Sequence, residues 1–487
     1  MKKIVILGGG TAGWMAANIL NKALAAEGFE IHLIESEQIG IIGVGEGSTP
    51  QLKQFFAYLD IDESQWMPAC NATYKNGISF NDWTNSEGHN HYFHPFPSPF
   101  DQQTLGAFLY YCKLRHQGMD IDCLPNQFFL TAKLAEYAYT PITKEGIAPI
   151  KLNYAYHFDS VLLGQFLAKI AKEKGVKHTI ATLKSSELDE PIGIKSISLD
   201  NGDIVEADLF VDASGFNSEL LQKALGVKFH SYSDNLFNDS AIAFPSEITE
   251  KYNTQTEASA LSAGWAWKIP LTNRYGNGYV FSSRYTDFEQ AESELKAHLG
   301  IASELEVNAR RLKMKVGQVE KHWHKNVLAI GLSQGFIEPL EATALHLVQE
   351  SLMQFIKHFN KGKFIDENKT AFNQTINERF EGIRDYIVCH YKVNTRTDSQ
   401  YWQDNRDNPC ISENLQAVLE AWDNSEDIAS VLQSRNMTQY YPVVSWYCLL
   451  AGYQRFPEAT APNKMPASQI EGLRKMLAAR TELFIPV

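Results

Sequence analysis

The amino-acid sequence predicts an α/β fold, with α+β character overall, whose first module contains a buried strand, a glycine-rich loop and a helix. Three observations support this prediction. A continuous apolar run over Ile4–Leu7 is typical of a buried parallel strand. The run leads into Gly8–Gly13, a G-x-G-x-x-G, and then into residues with helical spacing. A second apolar strand over 31–34 ends at Glu35.

This order of strand, glycine-rich loop, helix, strand and acid is the dinucleotide-binding fingerprint in its required context. The glycines let the backbone approach a pyrophosphate at a helix N-terminus, and the acid accepts a hydrogen bond from a ribose hydroxyl. A glycine-rich turn without a ligand is the weaker alternative, because all parts of the fingerprint occur together. The predicted cofactor-binding residues of this region are Gly8, Gly10, Thr11, Ala12, Gly13 and Glu35.

Two later segments predict that the cofactor is FAD and that its module is discontinuous. Residues 207–215 resemble the A-D-x-x-V-x-A-x-G strand with which two-dinucleotide flavoproteins return to FAD. Ser218 then caps a predicted helix that Gly226 ends. The second of these segments, 326–332, is predicted as a strand that is followed by a loop and also returns the chain to the FAD. The sequence shows no second fingerprint for NAD(P)H.

The remaining patterns predict further elements. Residues 43–50 form a polar loop before a helix at Gln51–Leu59. The amphipathic pattern of Asp159–Lys174 predicts a helix that Gly175 ends. Residues 340–487 are predicted to be mainly helical.

Together these elements predict a flavin monooxygenase-like, discontinuous FAD-binding fold with a mainly helical C-terminal substrate-binding region. The two parts are expected to be interleaved as one structural unit. The predicted FAD-binding module comprises 1–80, 151–240 and 320–360. The predicted substrate-binding region comprises 81–150, 241–319 and 361–487. The further predicted cofactor-binding residues are Gly45, Ser48, Thr49, Asp212, Gly331 and Ile337.

The composition argues against several classes of protein. The net charge is −13 and the pI about 5.6, whereas a nucleic-acid-binding protein normally presents a basic face. No apolar window is long enough to span a membrane, and the apolar run near the N-terminus is too short for a signal peptide. Six scattered cysteines without a C-x-x-C pair indicate reduced thiols and a cytoplasmic location. His89, His91 and His94 have no carboxylate or cysteine partner at a matching spacing, so no metal is expected.

An aromatic segment at 264–270 carries a more specific signal. By pattern alone it is an aromatic strand with two core tryptophans, but it contains W-x-W-x-I-P. Together with the fingerprint, this segment resembles the signature of flavin-dependent halogenases of the tryptophan halogenase family. The residues of the motif are Trp265, Trp267, Ile269 and Pro270. The other segments that resemble the family are 45–50, which is similar to its G-E-x-T-x-P loop with a one-residue difference, 94–96 and 331–347.

The resemblance gives Lys75 a role. Taken alone, residues 77–81 indicate a short half-buried strand, and a lysine just before it is most simply a solvated side chain in a turn. The family places its halogenating lysine at this position. The resemblance implies that reduced FAD, O₂ and halide give hypohalous acid, which Lys75 delivers to an electron-rich aromatic carbon. It leaves open whether Lys75 hydrogen-bonds the oxidant or carries it as a haloamine.

The resemblance also implies that Glu341 is the second catalytic group, near Lys75, and that the amides of Thr343 and Ala344 bind halide. Apolar spacing predicts a helix downstream. If that helix begins at Pro339, Glu341 is only an acid in its first turn. If Thr343 is the cap, the free N–H groups at 343 and 344 form an anion pocket. Many family members have glycine at the second position, where Ala344 keeps the N–H but not the backbone freedom.

The substrate is expected to be an indole-like arene, with Phe96 and Trp446 as stacking surfaces. Tryptophan-specific family members clamp the amino acid with aromatic and acidic residues, whereas 440–447 carries aromatics and no acid. A neutral indole is therefore expected to outcompete tryptophan, whose ammonium would lack a partner. Bromide is expected to be used at least as well as chloride, because it is easier to oxidise and less strongly hydrated.

Two other functions stay open at this point. One is a flavin monooxygenase or oxidase on the same fold, and the other is a non-catalytic FAD-binding protein. For a halogenase, the lack of a second fingerprint predicts a separate NAD(P)H-dependent flavin reductase as the source of FADH₂. The expected partners are that reductase and a small aromatic substrate, with no nucleic acid and no membrane, and a homodimer is left open.

Overall fold

A computed structural model of the chain describes residues 2–37, 45–85, 88–363, 365–462 and 467–487. The α-helices of these residues are α1 (Thr11–Leu24), α2 (Gln51–Leu59), α3 (Glu63–Ala69), α4 (Gln102–His116), α5 (Leu130–Glu136), α6 (Ser160–Glu173), α7 (Phe288–His298), α8 (Ala344–Lys361), α9 (Lys369–Lys392), α10 (Gln400–Asp407), α11 (Glu413–Asp423), α12 (Ile428–Ser434), α13 (Val443–Gly452) and α14 (Ala467–Thr481). The strands are β1 (Lys2–Leu7), β2 (Phe29–Glu35), β3 (Glu46–Gly47), β4 (Thr73–Lys75), β5 (Gly77–Asn81), β6 (His91–Pro95), β7 (Tyr139–Thr143), β8 (Ala155–Phe158), β9 (Lys177–Ile180), β10 (Leu183–Asp189), β11 (Gly193–Leu199), β12 (Ile204–Glu206), β13 (Leu209–Asp212), β14 (Phe229–Ser231), β15 (Ser240–Ser246), β16 (Thr256–Leu261), β17 (Gly264–Pro270), β18 (Tyr275–Phe281), β19 (Arg310–Lys313), β20 (Gly317–Val319), β21 (Trp323–His324), β22 (Val327–Ala329), β23 (Gly335–Phe336) and β24 (Phe484–Pro486).

The chain divides into two units, each built from three segments. The first unit comprises Met1–Ala72, Phe158–Ser233 and Met314–Glu381. The second unit comprises Thr73–His157, Asp234–Lys313 and Gly382–Val487. The predicted modules alternate along the chain in the same way, but their boundaries differ. Residues 73–80, 151–157 and 234–240 belong to the second unit, and 314–319 and 361–381 belong to the first.

A six-stranded sheet forms the centre of the first unit. Its strand order is β21-β22-β13-β1-β2-β9, and the strands are parallel except for the edge pair β21–β22. The two predicted returning strands, within 207–215 and 326–332, are confirmed as β13 and β22. Three segments that are far apart in sequence therefore lie side by side. The carboxyl ends of parallel strands meet at one edge, where ligands bind in open α/β sheets.

Helix α6 shows how capping residues set the bounds of an element in this unit. The Asp159 carboxylate accepts bonds from the N–H groups of Val161 (3.0 Å) and Leu162 (3.2 Å), and the chain leaves the helix at Gly175 with φ +90°. The predicted amphipathic helix is confirmed. Its buried side includes Leu163, Leu167 and Ala171.

The other predicted elements of the first unit are also found. Helix α2 has the predicted bounds, Gln51–Leu59. Ser218 caps a short π-helix, Glu219–Ala224, by accepting a bond from the Gln222 N–H (3.3 Å). Gly43 and Val44, the first residues of the predicted polar loop, lie outside the described residues.

A seven-stranded sheet forms the core of the second unit. Its order is β19-β15-β18-β17-β16-β5-β6, antiparallel except for the parallel pair β16–β5. The predicted aromatic strand at 264–270 is confirmed as β17, which pairs with β16 on one side and β18 on the other. The signature motif thus lies on a central strand.

Strand β5 corrects the prediction of a half-buried strand at 77–81. Its residues from Gly77 to Phe80 are all buried. On one side Phe80 stacks on Tyr92 with ring centroids 4.9 Å apart, and on the other a Cβ at Gly77 would lie 2.4 Å from the Phe93 ring. Side chains therefore cover both faces of β5, and local alternation of residue types does not reveal a second packed layer.

Residues 340–487 are mainly helical, as predicted, and contain α8 to α14. In the second unit, α4, α5 and α13 share an apolar core that includes Phe108, Ala132 and Cys448. The six cysteines are all free thiols. Within the described ranges, no helix is both long enough and apolar enough to cross a membrane.

Candidate active site

The fingerprint glycines stand in different surroundings. Gly8 has φ +121°, and a Cβ there would lie 2.2 Å from the Ala213 carbonyl oxygen. A Cβ on Gly13 would lie 1.9 Å from the Gly8 carbonyl oxygen. At Gly10, apart from its chain neighbours, no atom of the described residues lies within 4 Å of the position a Cβ would take. The protein's own backbone therefore requires Gly8 and Gly13 to be glycine, whereas Gly10 keeps a space open in front of α1.

The start of α1 fits the pyrophosphate of a dinucleotide. Gly10 supplies no side-chain cap, and the first intrahelical bond runs from the Trp14 N–H to the Gly10 carbonyl (3.1 Å). The N–H groups of Thr11, Ala12 and Gly13 precede that bond, so they point out of the helix end. Together with the helix dipole they form a cradle for a negatively charged group.

Glu35 ends β2, and its partner is one that sequence reasoning missed. His178 on β9 donates from Nε2 to Glu35 Oε1 over 2.8 Å, because an ionised carboxylate can only accept. The imidazole also packs edge-on against Trp14, with ring centroids 5.2 Å apart. The Glu35 side chain is 28 % exposed, so it can accept from a ribose hydroxyl while His178 fixes its orientation. No sequence signal marks His178, because only the pairing of β2 with β9 brings it there.

Asp212 ends β13 and organises the turn that follows. Its fully buried carboxylate accepts bonds from five donors, which are the Ser214 N–H (3.1 Å), the Ser214 hydroxyl (2.5 Å), the Ser218 hydroxyl (3.3 Å), the Leu220 N–H (2.9 Å) and the Leu221 N–H (2.8 Å). The Asp212 carbonyl also accepts from the Ile330 N–H (3.0 Å), and Gly331 follows with φ +58°. Asp212 therefore shapes the loops at this edge of the sheet.

The remaining predicted cofactor residues lie in two loops of the first unit. Gly45 has φ +76°, and the Thr49 carbonyl accepts from the Leu52 N–H (3.1 Å) at the start of α2. Ser48 and Ile337 are buried. The loop at 45–50 thus leads directly into the first turn of α2.

A carboxyl with a strongly shifted pKa lies in the same loop. Desolvation raises the pKa of Glu46 to about 7, and the nearby Asp159 carboxylate adds to the shift by repulsion. The Ser160 hydroxyl opposes the shift by hydrogen bonding. Glu46 therefore changes its charge near neutral pH, a property that the loop motif alone did not indicate.

Lys75 is the last residue of β4 and is 0 % exposed, which excludes the solvated turn lysine. Its neighbour across the β4–β8 pair is Ala155, whose small side chain leaves room for the long one. The Lys75 Nζ lies 5.7 Å from the centroid of the Phe96 ring, within the range of a cation–π contact. The second unit thus holds an amino group inside the protein, against an aromatic face.

His157 belongs to the same strand pair as Lys75, and sequence reasoning missed it. Its Nδ1 lies 3.1 Å from Thr73 Oγ1 and its Nε2 lies 3.0 Å from Thr256 Oγ1. Thr73 Oγ1 also donates to the Pro270 carbonyl over 2.7 Å. Burial holds the pKa of His157 well below its ordinary value, and the charge of Lys75 lowers it further. His157 is therefore neutral.

The segment around Glu341 distinguishes the two predicted helix starts. A 3₁₀ turn covers Pro339–Glu341, Ala342 takes φ +56°, and α8 begins at Ala344 with Thr343 as its cap. The later start is therefore the one observed. The first intrahelical bond runs from the Leu347 N–H to the Thr343 carbonyl (2.9 Å), so the amides of 343 and 344 precede it. Glu341 is buried.

The signature strand β17 buries both of its tryptophans. The rings of Trp265 and Trp267 lie on the same side of the strand, with centroids 6.2 Å apart. Gly278 on β18 makes room for Trp267, because a Cβ there would lie 2.1 Å from the indole. The carbonyl of Pro270, at the end of the strand, accepts a hydrogen bond from the Thr73 hydroxyl. The motif therefore connects a packed aromatic strand to the strand of Lys75.

The two predicted stacking residues differ in exposure. Phe96 is half-buried and faces the Lys75 ammonium. Trp446 on α13 is 1 % exposed, and its ring packs edge-on against Tyr386 with centroids 4.9 Å apart. Tyr441 stacks on Tyr386 in turn, at 3.6 Å. An arene could reach Trp446 only after a neighbouring side chain moves, so Phe96 is the better placed of the two.

The parallel sheet, the open glycine loop and the two returning segments define a FAD-binding flavoprotein. Comparison with known proteins identifies its family. The model of the tryptophan halogenase family matches residues 3–468. The tryptophan 6-halogenase SttH of Streptomyces toxytricini is 36 % identical, over 92 % of this chain and 89 % of that protein. The tryptophan 7-halogenase RebH of Lentzea aerocolonigenes is 32 % identical, over 95 % of this chain and 91 % of that protein. The solved structure of a flavin-dependent halogenase from Xanthomonas campestris has a TM-score of 0.85 and 32 % identity, over 100 % of this chain and 96 % of that one.

The chain belongs to the tryptophan halogenase family. It is a flavin-dependent halogenase that uses FADH₂ and halide, acts on an aromatic substrate and needs a separate flavin reductase. This function replaces the two alternatives left open by the sequence, an oxygen-transferring flavoenzyme and a non-catalytic FAD-binding protein.

Proposed function

We propose that this halogenase acts on a neutral, indole-like arene and that Lys75 delivers the oxidant. Bound FADH₂ would supply the two electrons that activate O₂, so that FADH₂, O₂, halide and a proton together give FAD, hypohalous acid and water. The observation that carries the proposal is the complete burial of Lys75 against Phe96. Lysine is rarely buried, because desolvating its charge is costly. A family member that buries one at the position of the halogenating lysine retains it for chemistry.

Lys75 can act in two ways, and both give the same product. Its ammonium can donate a hydrogen bond to hypohalous acid, or its amine can form a haloamine with release of water. In either case the arene carbon takes the halogen and loses a proton. We assign Glu341 the positioning of the halogen species and the acceptance of that proton, because a buried carboxylate is a suitable base.

We assign halide binding to the backbone amides of Thr343 and Ala344. Both amides precede the first intrahelical bond of α8, and the helix dipole favours an anion there. We assign cofactor binding to the glycine loop and to the loops at the carboxyl edge of the sheet in the first unit. The residues so assigned are Gly8, Gly10, Thr11, Ala12, Gly13, Glu35, Gly45, Ser48, Thr49, Asp212, Gly331 and Ile337.

The delivery role is tested by Lys75→Ala, assayed with FADH₂, bromide and indole. FADH₂ oxidation and trapped hypohalous acid should stay near wild-type levels, whereas brominated indole should disappear. Lys313→Ala is the matched control, since Lys313 is an exposed lysine on edge strand β19 of the same unit. Glu341→Gln should lower product formation by about 100-fold or more. Wild-type bromination by Lys75→Ala would exclude the delivery role.

The substrate proposal rests on charge. The two relatives are named for tryptophan, but 440–447 offers no carboxylate to an amino-acid ammonium. We therefore expect indole to be halogenated faster than tryptophan at equal concentrations, and bromide to serve at least as well as chloride. Competition assays in each halide, read by mass spectrometry, test both expectations. A preference for tryptophan in chloride would show that an ammonium clamp exists elsewhere in the chain.

We further propose a cytoplasmic location and, as the assembly to test first, a homodimer. The chain has a mass of 54.9 kDa, so light scattering coupled to size-exclusion chromatography separates monomer from dimer. Fractionation of cells that express the tagged chain tests its location.

A further inference from the structure

The β4–β8 pair has a polar face that carries Lys75 and an aromatic face opposite. Thr73 is directly opposite His157, and Lys75 is directly opposite Ala155. Directly opposed residues project to the same face of a strand pair, and alternate residues share a face. Thr73, Lys75 and His157 therefore project to one face, with His157 diagonal to Lys75. The aromatic face is formed by Tyr74, Tyr154 and Tyr156.

The hydrogen bonds on the polar face have a fixed direction. A carbonyl oxygen can only accept, so Thr73 gives its single hydroxyl proton to Pro270. At its contact with His157, Thr73 must therefore accept, and the imidazole proton lies on Nδ1. The bare Nε2 then accepts from the Thr256 hydroxyl. One chain of bonds thus runs from Thr256 on β16 through His157 on β8 and Thr73 on β4 to Pro270 on β17.

We propose that His157 is a positioning residue for Lys75: it fixes Thr73, and with it the end of β4, against Pro270 of the signature strand. The inference rests on the delivery role proposed for Lys75. Thr73 and Lys75 are alternate residues on one face of a three-residue strand, so a shift of Thr73 moves the Lys75 backbone as well. A misplacement of about 1 Å can lower the rate of a positioned reaction by about 100-fold. His157 acts through Thr73 and has no assigned contact with substrate.

The test measures coupling, which is the halogenated indole formed per FADH₂ oxidised. Thr73→Val and His157→Gln both remove the bond between Thr73 and Nδ1, and each should lower coupling about tenfold while free hypohalous acid rises. Thr73→Ser keeps the hydroxyl, and His157→Asn keeps a donor near the position of Nδ1, so both should stay within about twofold of wild type. FADH₂ oxidation and FAD affinity should be unchanged in all four variants.

The control is Thr131→Val, which removes a buried threonine hydroxyl on α5 that has no hydrogen-bond partner in the described part of the chain. It should leave coupling unchanged. Equal losses in Thr73→Val and Thr73→Ser would mean that packing alone matters, and would overturn the inference. If Thr73→Val does not fold, the contrast between His157→Asn and His157→Gln decides alone. Lys75→Ala, assayed in parallel, separates the delivery role of Lys75 from the positioning role of His157. If Lys75→Ala loses product while Thr73→Val and His157→Gln keep wild-type coupling, only the positioning role fails.

Discussion

At the scale of single residues, a glycine in the fingerprint is required for one of two reasons. Gly13 is needed because the Gly8 carbonyl occupies the position of its Cβ. At Gly10 no other part of the described chain lies within 4 Å of that position, so the protein's own packing does not require a glycine there. One motif therefore contains a glycine that packing requires and a glycine that leaves room for the proposed cofactor.

These two roles predict different outcomes for substitution. Gly10→Val should fold with little change in the melting temperature of the FAD-free protein, yet lose FAD binding, because its side chain fills the cofactor space. Gly13→Ala should destabilise the FAD-free protein by about 1–3 kcal/mol, since the backbone must move. Thermal melts and FAD titration by fluorescence quenching measure both effects. Wild-type FAD affinity in Gly10→Val would show that the pyrophosphate does not bind at the start of α1.

Glu46 gives the protein a pH-dependent stability term. Its folded-state pKa is raised from the ordinary 4.5 to about 7, so the folded protein binds more protons than the unfolded chain between those values. Stability from this group is therefore highest below pH 4.5, falls as pH rises through that window, and is fully lost above pH 7. Each pKa unit corresponds to about 1.4 kcal/mol, so the loss is up to about 3 kcal/mol.

Glu46→Gln should remove this term, because glutamine stays neutral. Urea unfolding of the FAD-free protein should show similar stability for both proteins near pH 4 and a more stable Glu46→Gln variant at pH 8. Glu206→Gln, an exposed position on β12 of the same unit, is the matched control and should show no such divergence. Parallel pH curves for wild type and Glu46→Gln would show that folding does not raise the pKa of Glu46.

Motifs in the sequence marked candidate site residues, but they did not indicate the surroundings of those residues. Lys75 was found by resemblance, but only the structure shows that it ends a strand and is buried. His157 and His178 carry no local signal, because strand pairing alone gives them their partners. Trp446 matched the expected aromatic type, yet packing covers its ring.

At the scale of elements, the reliable predictions were those with both a period and a boundary residue. Asp159 and Gly175 bracket α6, and both capping positions were readable from the sequence. The start of α8 was ambiguous, because Pro339 and Thr343 are both acceptable first residues. The turn at Ala342, with φ +56°, resolves it, and no sequence rule predicts an alanine in that conformation.

The start of α8 leads to a prediction about halide selectivity. Ala344→Gly gives this position more backbone freedom, so its amide can adjust to the smaller chloride. The ratio of chlorination to bromination rates should rise about two- to threefold, a change of well under 1 kcal/mol in the barrier. Ala429→Gly, which adds the same freedom in the first turn of α12, should leave the ratio unchanged. An unchanged ratio in Ala344→Gly would indicate that this amide does not contact the halide.

At the scale of the whole molecule, three segments of one unit alternate with three of the other, and the segment ends lie away from the boundaries expected from the sequence. The returning strands β13 and β22 have recognisable patterns, so the sequence reveals that the first unit is discontinuous. Its first segment ends at Ala72 and its second begins at Phe158, so 73–80 and 151–157 lie outside it. Those stretches belong to the second unit because β4 and β8 pair with each other, a contact between residues more than seventy positions apart. Local patterns do not encode such a pairing.

The last prediction concerns the supply of electrons to the whole protein. Only one dinucleotide fingerprint occurs in the chain, and its glycines and acid lie on the sheet of the first unit. The purified protein with FAD and NADH should therefore consume no NADH above a protein-free control. Adding an unrelated flavin reductase should start product formation, because FADH₂ is a small molecule that can pass through solution to the Gly10 cradle. The Gly10→Val variant, with the same reductase, should consume NADH through the reductase but form no halogenated indole. NADH oxidation by the halogenase alone, followed as loss of absorbance in anaerobic and aerobic buffer, would reveal a nicotinamide site that the fingerprint does not mark.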